Sequence, residues 1–371
     1  MRVGLDAEFG LPGSLSAQAI ERGIRVALAE INRSGGVLGG RPLELVVRDN
    51  RSVPARSQEN LRELAALPDM VAVFCGRYSP VVLEVLPLVH QLGLVLLDPW
   101  ASADGITENG FDPSYVFRLS LRDRWAMPAM LRHAKAKGAV RVGALLPNTG
   151  WGRSSLAAIE RSAGPGLPAI VGVSWYNWGD KSLTRPYLEL VRKGAQAVIF
   201  VANDSEGAIL MREMAAMPKT ERLPLVMHWG VTGGNLREQV GDALGMLDLS
   251  VVQTFSFLSG EPRRVDRFLE QYRMLYGPTR PEDITAPVGV AHAYDLTRLL
   301  ARAIDAAGST DRAQVRAAME KLRDYDGLIR RYPMPFSATN HDALGPENVM
   351  MATFRPDGLI VPVVSRQGDG R

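Results

Sequence analysis

Short runs of β-branched residues and leucine alternate with amphipathic helical stretches over most of this chain, and few architectures accept that alternation. The pattern builds parallel sheets covered by helices. It places strands at residues 3–6, 43–49, 71–74, 94–97, 141–146, 170–174, 197–201, 224–227 and 249–254. Between them lie helices such as residues 17–31, where Ile20, Ile24, Ala27, Leu28 and Ile31 recur at helical spacing. The turn Ser34-Gly35-Gly36 ends that helix with residues that tolerate positive φ. At 371 residues the chain exceeds the usual size of one core and predicts two lobes. A coarse duplication of strand–helix units before and after about residue 120 agrees with two similar lobes.

From Pro262 the chain changes character. Helices at 263–276, 286–307 and 311–322 follow one another without strands between them, and the stretch from 325 to 371, rich in Pro and Gly, reads as short strands and turns. Helices this late imply a chain that has crossed back to complete its first lobe. The expected fold is therefore α/β, with two doubly wound parallel-sheet lobes joined by a three-crossing hinge.

The stretch from Phe74 to Ser102 carries the strongest sign of a site. Two strand-end loops, Gly76 to Ser79 and Pro99 to Ser102, bracket one amphipathic helix. A strand ending in small and hydroxyl residues, followed at once by a helix, aims free N–H groups and a helix dipole at one point. Ser79 stands where that helix begins, so its hydroxyl can cap the helix or turn to an anion. The next strand delivers Trp100, Ala101 and Ser102 to the same sheet edge, where open α/β folds bind ligands. Arg77 either adds a full positive charge there or stands on the surface.

Composition removes whole classes of function. Hydrophobic content of 46% with 22% charged residues and a mean hydropathy of −0.03 are those of a water-soluble globular protein. The longest apolar run, 81–97, is broken by Glu84, Pro87, His90 and Gln91, short of the roughly 20 residues a bilayer requires. Net charge is +3 with basic residues scattered, so nucleic acid is not an expected partner. The one cysteine, Cys75, excludes an internal disulfide and reads as a buried core thiol. None of the five histidines forms an H-x-x-x-H or H-E-x-x-H pair, and no nucleophile elbow or phosphate loop appears. No metal, no cofactor and no enzymatic activity are expected. His341-Asp342 reads as a turn-stabilising pair, and His292 as core or pocket wall. The start, Met1 into a strand, lacks the basic and apolar regions of a signal peptide. Either the protein is cytoplasmic or Met1 stands in place of a leader.

The opening GLDAEFGLPGSLSAQAIERGIRVALAEINRSGGVLGGRPLELVVRDN resembles the entry segment of the type I periplasmic binding proteins, in their leucine/isoleucine/valine-binding branch. The likeness rests on a glycine-rich loop, a long helix, the turn Ile31, Asn32, Gly35, Gly36 and Gly39, and the acidic Asp49. It continues through the Ser79 loop, Asp98-Pro99-Trp100-Ala101-Ser102, Phe117-Arg118 and Tyr294-Asp295, closing with AGSTDRAQVRAAM. The resemblance implies two lobes, residues 1–120 plus 255–332 and residues 121–254 plus 333–371, that close on a small ligand in the cleft between them and perform no chemistry. It also implies that a carboxylate is held by Ser79 and the loop Trp100 to Ser102. Phe9, Arg77 and Tyr78 complete the first lobe's share of the site.

On the second lobe, the resemblance puts the aromatic cover on Trp151 and a further contact on Asn203. The position of an ammonium-binding glutamate falls on Trp229. An indole cannot neutralise an ammonium as a carboxylate does, although cation–π attraction contributes roughly 0.5 to 2 kcal/mol. Trp100, Trp151 and Trp229 together suit an aromatic or otherwise flat carboxylate. Asp204 or Asp123 can still meet an amine, so amino acids stay in the expected class. Such a protein serves as the soluble, periplasmic receptor of an ABC importer and delivers ligand to a membrane permease. The alternative is a ligand-sensing domain of the same fold in a signalling or regulatory protein.

Overall fold

The nine expected strands all form, most of them longer or shorter by a residue or two, and they gather into two separate parallel sheets. The computed structural model describes residues 1–363. The first sheet holds β1 (Arg2–Ala7), β2 (Glu44–Asp49), β3 (Met70–Cys75), β4 (Val95–Asp98) and β5 (Val116–Arg118), in the order β2-β1-β3-β4-β5. Every residue of β3 and β4 is buried, as fits strands covered by helices on both faces. Its helices in this stretch are α1 (Ser16–Arg33), α2 (Pro54–Ala66) and α3 (Ser79–Gln91).

The chain crosses at Leu119 to Arg122, enters α4 (Asp123–Ala136), and repeats the plan. Strands β6 (Arg141–Pro147), β7 (Ala169–Tyr176), β8 (Ala197–Phe200), β9 (Leu225–Met227) and β10 (Leu249–Gln253) lie in the order β7-β6-β8-β9-β10. This is the same order as the first sheet, strand for strand. Helices α5 (Gly150–Ser162), α6 (Thr184–Arg192), α7 (Asp204–Ala216) and the short α8 (Leu236–Val240) connect or follow them.

After β10 come α9 (Pro262–Tyr276), α10 (Pro287–Ala307) and α11 (Arg312–Met319), on the first lobe. α10 runs along α1, and Gly23 allows the approach: a Cβ there would fall 2.2 Å from the Val290 carbonyl oxygen. A small ladder, β11 (Tyr325–Asp326) and β12 (Arg331–Tyr332), follows. The tail then adds β13 (Met350–Phe354) and β14 (Ile360–Pro362), antiparallel, to the second sheet beyond β10.

The third crossing lies later than residue 332. Arg118 N donates to His341 O at 2.8 Å and Ala343 N to Arg118 O at 2.9 Å, so the chain stays beside β5 through Ala343. Asp342 holds it there, accepting from Arg118 Nε at 2.6 Å and Arg122 Nη1 at 3.0 Å. His341 Nδ1 meets Val116 O at 2.7 Å and its Nε2 lies 3.1 Å from Glu320. The His341-Asp342 pair is thus a buried pin and not a turn element, because the two arginines that need it sit at the end of β5 and on the first crossing. Residues 364–371 of the expected second lobe lie outside those described.

Candidate functional site

Each sheet reverses its winding beside its first strand, between β1 and β3 in one lobe and between β6 and β8 in the other. Open parallel sheets bind ligands at the carboxyl ends of the strands flanking such a reversal. The residues there are Glu8 and Phe9 after β1, Gly76, Arg77 and Tyr78 after β3, Asn148 and Thr149 after β6, and Ala202 and Asn203 beyond β8. The two reversal points face one another across the interlobe seam. Leu15 N donates to Gly233 O at 2.7 Å, and Asp104 N to Ser154 Oγ at 3.0 Å.

Ser79 does not cap its helix. Its hydroxyl oxygen accepts the N–H groups of Ser102 at 3.1 Å and Ala103 at 3.2 Å, tying together the two strand-end loops singled out in the sequence. The reason is the tight β3–β4 pairing, which sets the start of α3 against the loop after β4. Asp98 organises the same loop, its Oδ1 accepting from Trp100 N at 2.9 Å and Ala101 N at 2.7 Å. Burial pushes the Asp98 carboxyl up to about 7, against the opposing pull of Arg118 and those two N–H groups. Its Oδ2 has no hydrogen-bond partner.

Arg77 is not on the surface. It is 6% exposed and reaches from the first lobe into the second. Nη2 donates to Asp204 Oδ1 at 2.6 Å and to the Tyr78 hydroxyl at 2.8 Å, while Nη1 donates to Gly230 O at 3.1 Å. Glu8, 1% exposed, lies 3.9 Å from Nε, which has no acceptor. Burial penalises the guanidinium charge, but Tyr78, Asp204 and Glu8 outweigh it and hold the proton more firmly than water does. Burial also pushes the Tyr78 hydroxyl up to about 12. The loop after β9 makes room with glycine: a Cβ on Gly233 would fall 1.7 Å from Arg77 Nη1, and one on Gly234 2.3 Å from Asp204 Oδ2.

The three tryptophans are all buried at the seam. Trp100 and Trp229 are each 1% exposed, with ring centroids 5.9 Å apart. Trp229 also meets His292, whose ring is pushed down to about 4 by burial and so stays neutral. Trp151 donates from Nε1 to Asp123 Oδ1 at 3.2 Å and stands edge-on to His228. His228 Nε2 lies 3.2 Å from the same Asp123 oxygen, but out of hydrogen-bond alignment. Trp100 Nε1 finds no acceptor.

Among the residues expected from sequence, Ser79, Trp100, Ala101 and Ser102 therefore share one loop pair, and Arg77 and Tyr78 adjoin it. Asn203, 4% exposed, ends the loop before α7, and its Oδ1 would lie 3.1 Å from a Cβ on Gly230. Phe9 is half-buried and packs on the first-lobe core. Glu8, Gly230, Gly233 and Trp178 were not singled out. Trp178 packs edge-on against Tyr78 at 5.4 Å from the other lobe. Glu8 had a sequence signal in its place directly after the first strand, whereas the glycines show their role only once Arg77 is placed. Beside this constellation, a groove of about 350 Å³ follows the seam between Thr232 to Arg237 and Arg280 to Pro287.

Comparison with known proteins places the chain. A family model described as periplasmic binding protein matches residues 2–357. A Leu/Ile/Val-binding protein homolog 8 from Brucella abortus is 25% identical over 385 aligned residues, covering 96% of this chain and 90% of that protein. A type 1 periplasmic binding protein from Bordetella pertussis superposes with a TM-score of 0.87 at 23% identity, covering 98% of this chain and 99% of the other. An ABC transporter solute-binding protein from R. palustris, solved with 4-hydroxybenzoate, gives a TM-score of 0.81 at 19% identity, covering 98% and 95%.

Proposed function

The chain belongs to the periplasmic binding protein family, in the type I, leucine/isoleucine/valine-binding branch, and from that premise we propose that it is the soluble receptor of an ABC importer. It binds a small organic carboxylate, an amino acid or an aromatic acid, between its lobes, closes on it, and presents the closed form to a membrane permease. It works in the periplasm, takes no cofactor and catalyses no reaction. The named ligand classes of its relatives, Leu/Ile/Val on one side and 4-hydroxybenzoate on the other, share the carboxylate and little else.

One observation carries this reading: the seam buries N–H donors that lack an acceptor. Arg77 Nε and Trp100 Nε1 are both fully enclosed without a hydrogen-bond partner. They flank the loop pair held by Ser79, whose own O–H is still free to donate while its oxygen accepts from Ser102 and Ala103. An unpaired buried donor costs about 1 to 3 kcal/mol, and an oxyanion is the strongest acceptor that can relieve it. The hydroxyl oxygens of a neutral sugar accept more weakly than an oxyanion and relieve less.

A thermal-shift screen tests the proposal on protein unfolded and refolded to strip any bound ligand. Benzoates, apolar amino acids, sugars and nucleosides form the panel. A ligand that binds only the native state stabilises it by about 2.7 kcal/mol at a hundredfold excess over Kd. Shifts from members of the first two groups are expected, and shifts from sugars or nucleosides alone would contradict the proposal.

A further inference from the structure

The Arg77 guanidinium stands between two buried carboxylates, Asp204 of the second lobe and Glu8 of the first. We infer that it is a tethered cation that sets specificity, so that the cleft selects acids without an ammonium group over the corresponding amino acids. The inference rests on the receptor reading above and narrows it to one ligand class.

The charges at the seam decide the matter. On the second lobe, the acceptors that face Arg77 are the Asp204 carboxylate and the Gly230 carbonyl, and the guanidinium already uses both. The other Asp204 oxygen accepts from Gln239 Nε2 at 3.4 Å, so that carboxylate has both oxygens engaged. On the first lobe, Glu8 accepts from the Ser16 hydroxyl and faces Arg77 Nε. Side-chain exposures of 2% for Arg77, 4% for Asp204 and 1% for Glu8 leave these charges little water to screen them. A ligand ammonium beside Arg77 would meet a fixed positive charge and carboxylates already engaged, while Asp123, whose Oδ2 is unpartnered, stands with Trp151 and His228. A ligand carboxylate would meet that same charge with Nε still unpaired. Trp229 supports the assignment independently, since it is buried against Trp100 and His292 and brings no negative charge.

Removing Arg77 frees Asp204 and Glu8, and the preference should then move toward cations. Two readouts test this. The first is calorimetric titration of matched pairs, 3-phenylpropanoate with phenylalanine and 4-methylpentanoate with leucine, against wild type, Arg77→Ala and Arg77→Ala with Asp204→Asn. The wild type should favour the plain acid of any pair it binds by tenfold or more. Arg77→Ala should cut that ratio at least tenfold, and the double variant, in which Glu8 is still charged, should recover part of it. If Arg77→Ala is too unstable to purify, Arg77→Gln, which keeps the stem against Gly233, carries the same ratio test.

The second readout needs no natural ligand. N-ethylguanidinium, which replaces the atoms that Arg77→Ala removes, should raise the melting temperature of that variant at low millimolar concentration. It should leave the wild type where sodium chloride of equal ionic strength leaves it, and shift the double variant, which keeps Glu8, less than Arg77→Ala. An unchanged acid-to-amino-acid ratio, or no response of Arg77→Ala to N-ethylguanidinium, would overturn the inference. If the wild type bound no acid while Arg77→Ala still took up N-ethylguanidinium, the receptor reading would fail and the tethered cation would stand.

Discussion

Gly233→Ala should open the ligand-free protein by expelling Arg77 without altering any charge. The backbone accepts the change, since Gly233 has φ −83° and ψ 0°. The added methyl would lie 1.7 Å from Arg77 Nη1, 2.7 Å from Cζ and 3.2 Å from Cδ, so the guanidinium cannot stay where it is. Its bonds to Asp204 and to Gly230 O go with it. A hydrogen bond to a charged group contributes about 1.5 to 3 kcal/mol net, so the two set a ceiling of about 3 to 6 kcal/mol on the lost closure energy. Neighbouring bonds are not additive, which puts the true figure below the upper end. A swing of about 5.5 kcal/mol takes a two-state equilibrium from 99:1 to 1:99, so even half of it leaves an appreciable open population. Small-angle scattering reads the result as a larger radius of gyration in the variant. Gly164→Ala is the control, because nothing lies within 4 Å of its added Cβ. An unchanged radius of gyration and melting temperature in Gly233→Ala would refute the claim that Arg77 pins the lobes together.

Ser79→Ala strands the N–H groups of Ser102 and Ala103. It should destabilise the fold by about 1 to 3 kcal/mol per stranded donor and weaken every acid ligand, as chemical denaturation and calorimetry would show. Asp342→Ala leaves the buried Arg118 and Arg122 facing each other without their shared carboxylate. Breaking a buried ion pair from one side costs about 3 to 5 kcal/mol, and a melting curve should show a loss of that order. Asp98 predicts a pH dependence of defined sign. Its folded value of about 7 exceeds the unfolded carboxylate value, so its stabilising contribution is complete below about pH 4 and is lost as pH rises through 7. The stability of wild type minus that of Asp98→Asn should therefore fall by up to about 4 kcal/mol between pH 4 and pH 8. A flat difference across that range would show that Asp98 is ionised throughout.

The fold was legible because its signal is local. Runs such as 71–74 and 94–97 are continuous, apolar and bounded by turns, and each became a strand at the centre of a sheet. β5, three residues long, was left unassigned to a strand, and β11 to β14 were indicated only as short strands without bounds within 325–371. Such pieces carry too few residues for a period to emerge. The site was legible only where its partners are near in sequence. Ser79 and Ser102 belong to adjacent strand–helix units, and the meeting of their loops follows from the β3–β4 pairing. Arg77 left two readings open because its partner Asp204 lies on the other lobe, and no local pattern joins them. Asp342 failed for the same reason, since Arg118 and Arg122 lie at the end of β5 and on the first crossing.

The central claim is that one acid binds between the two strand-order reversals, and a crystal structure of the chain with its strongest acid from the screen tests it most directly. One carboxylate should lie within hydrogen-bond reach of the Ser79–Ser102 loop pair and of the Arg77 guanidinium, walled on the far side by Trp151, Asn203 or Trp229. An acid bound in the groove beside Arg280 to Pro287, or outside the seam altogether, would contradict it.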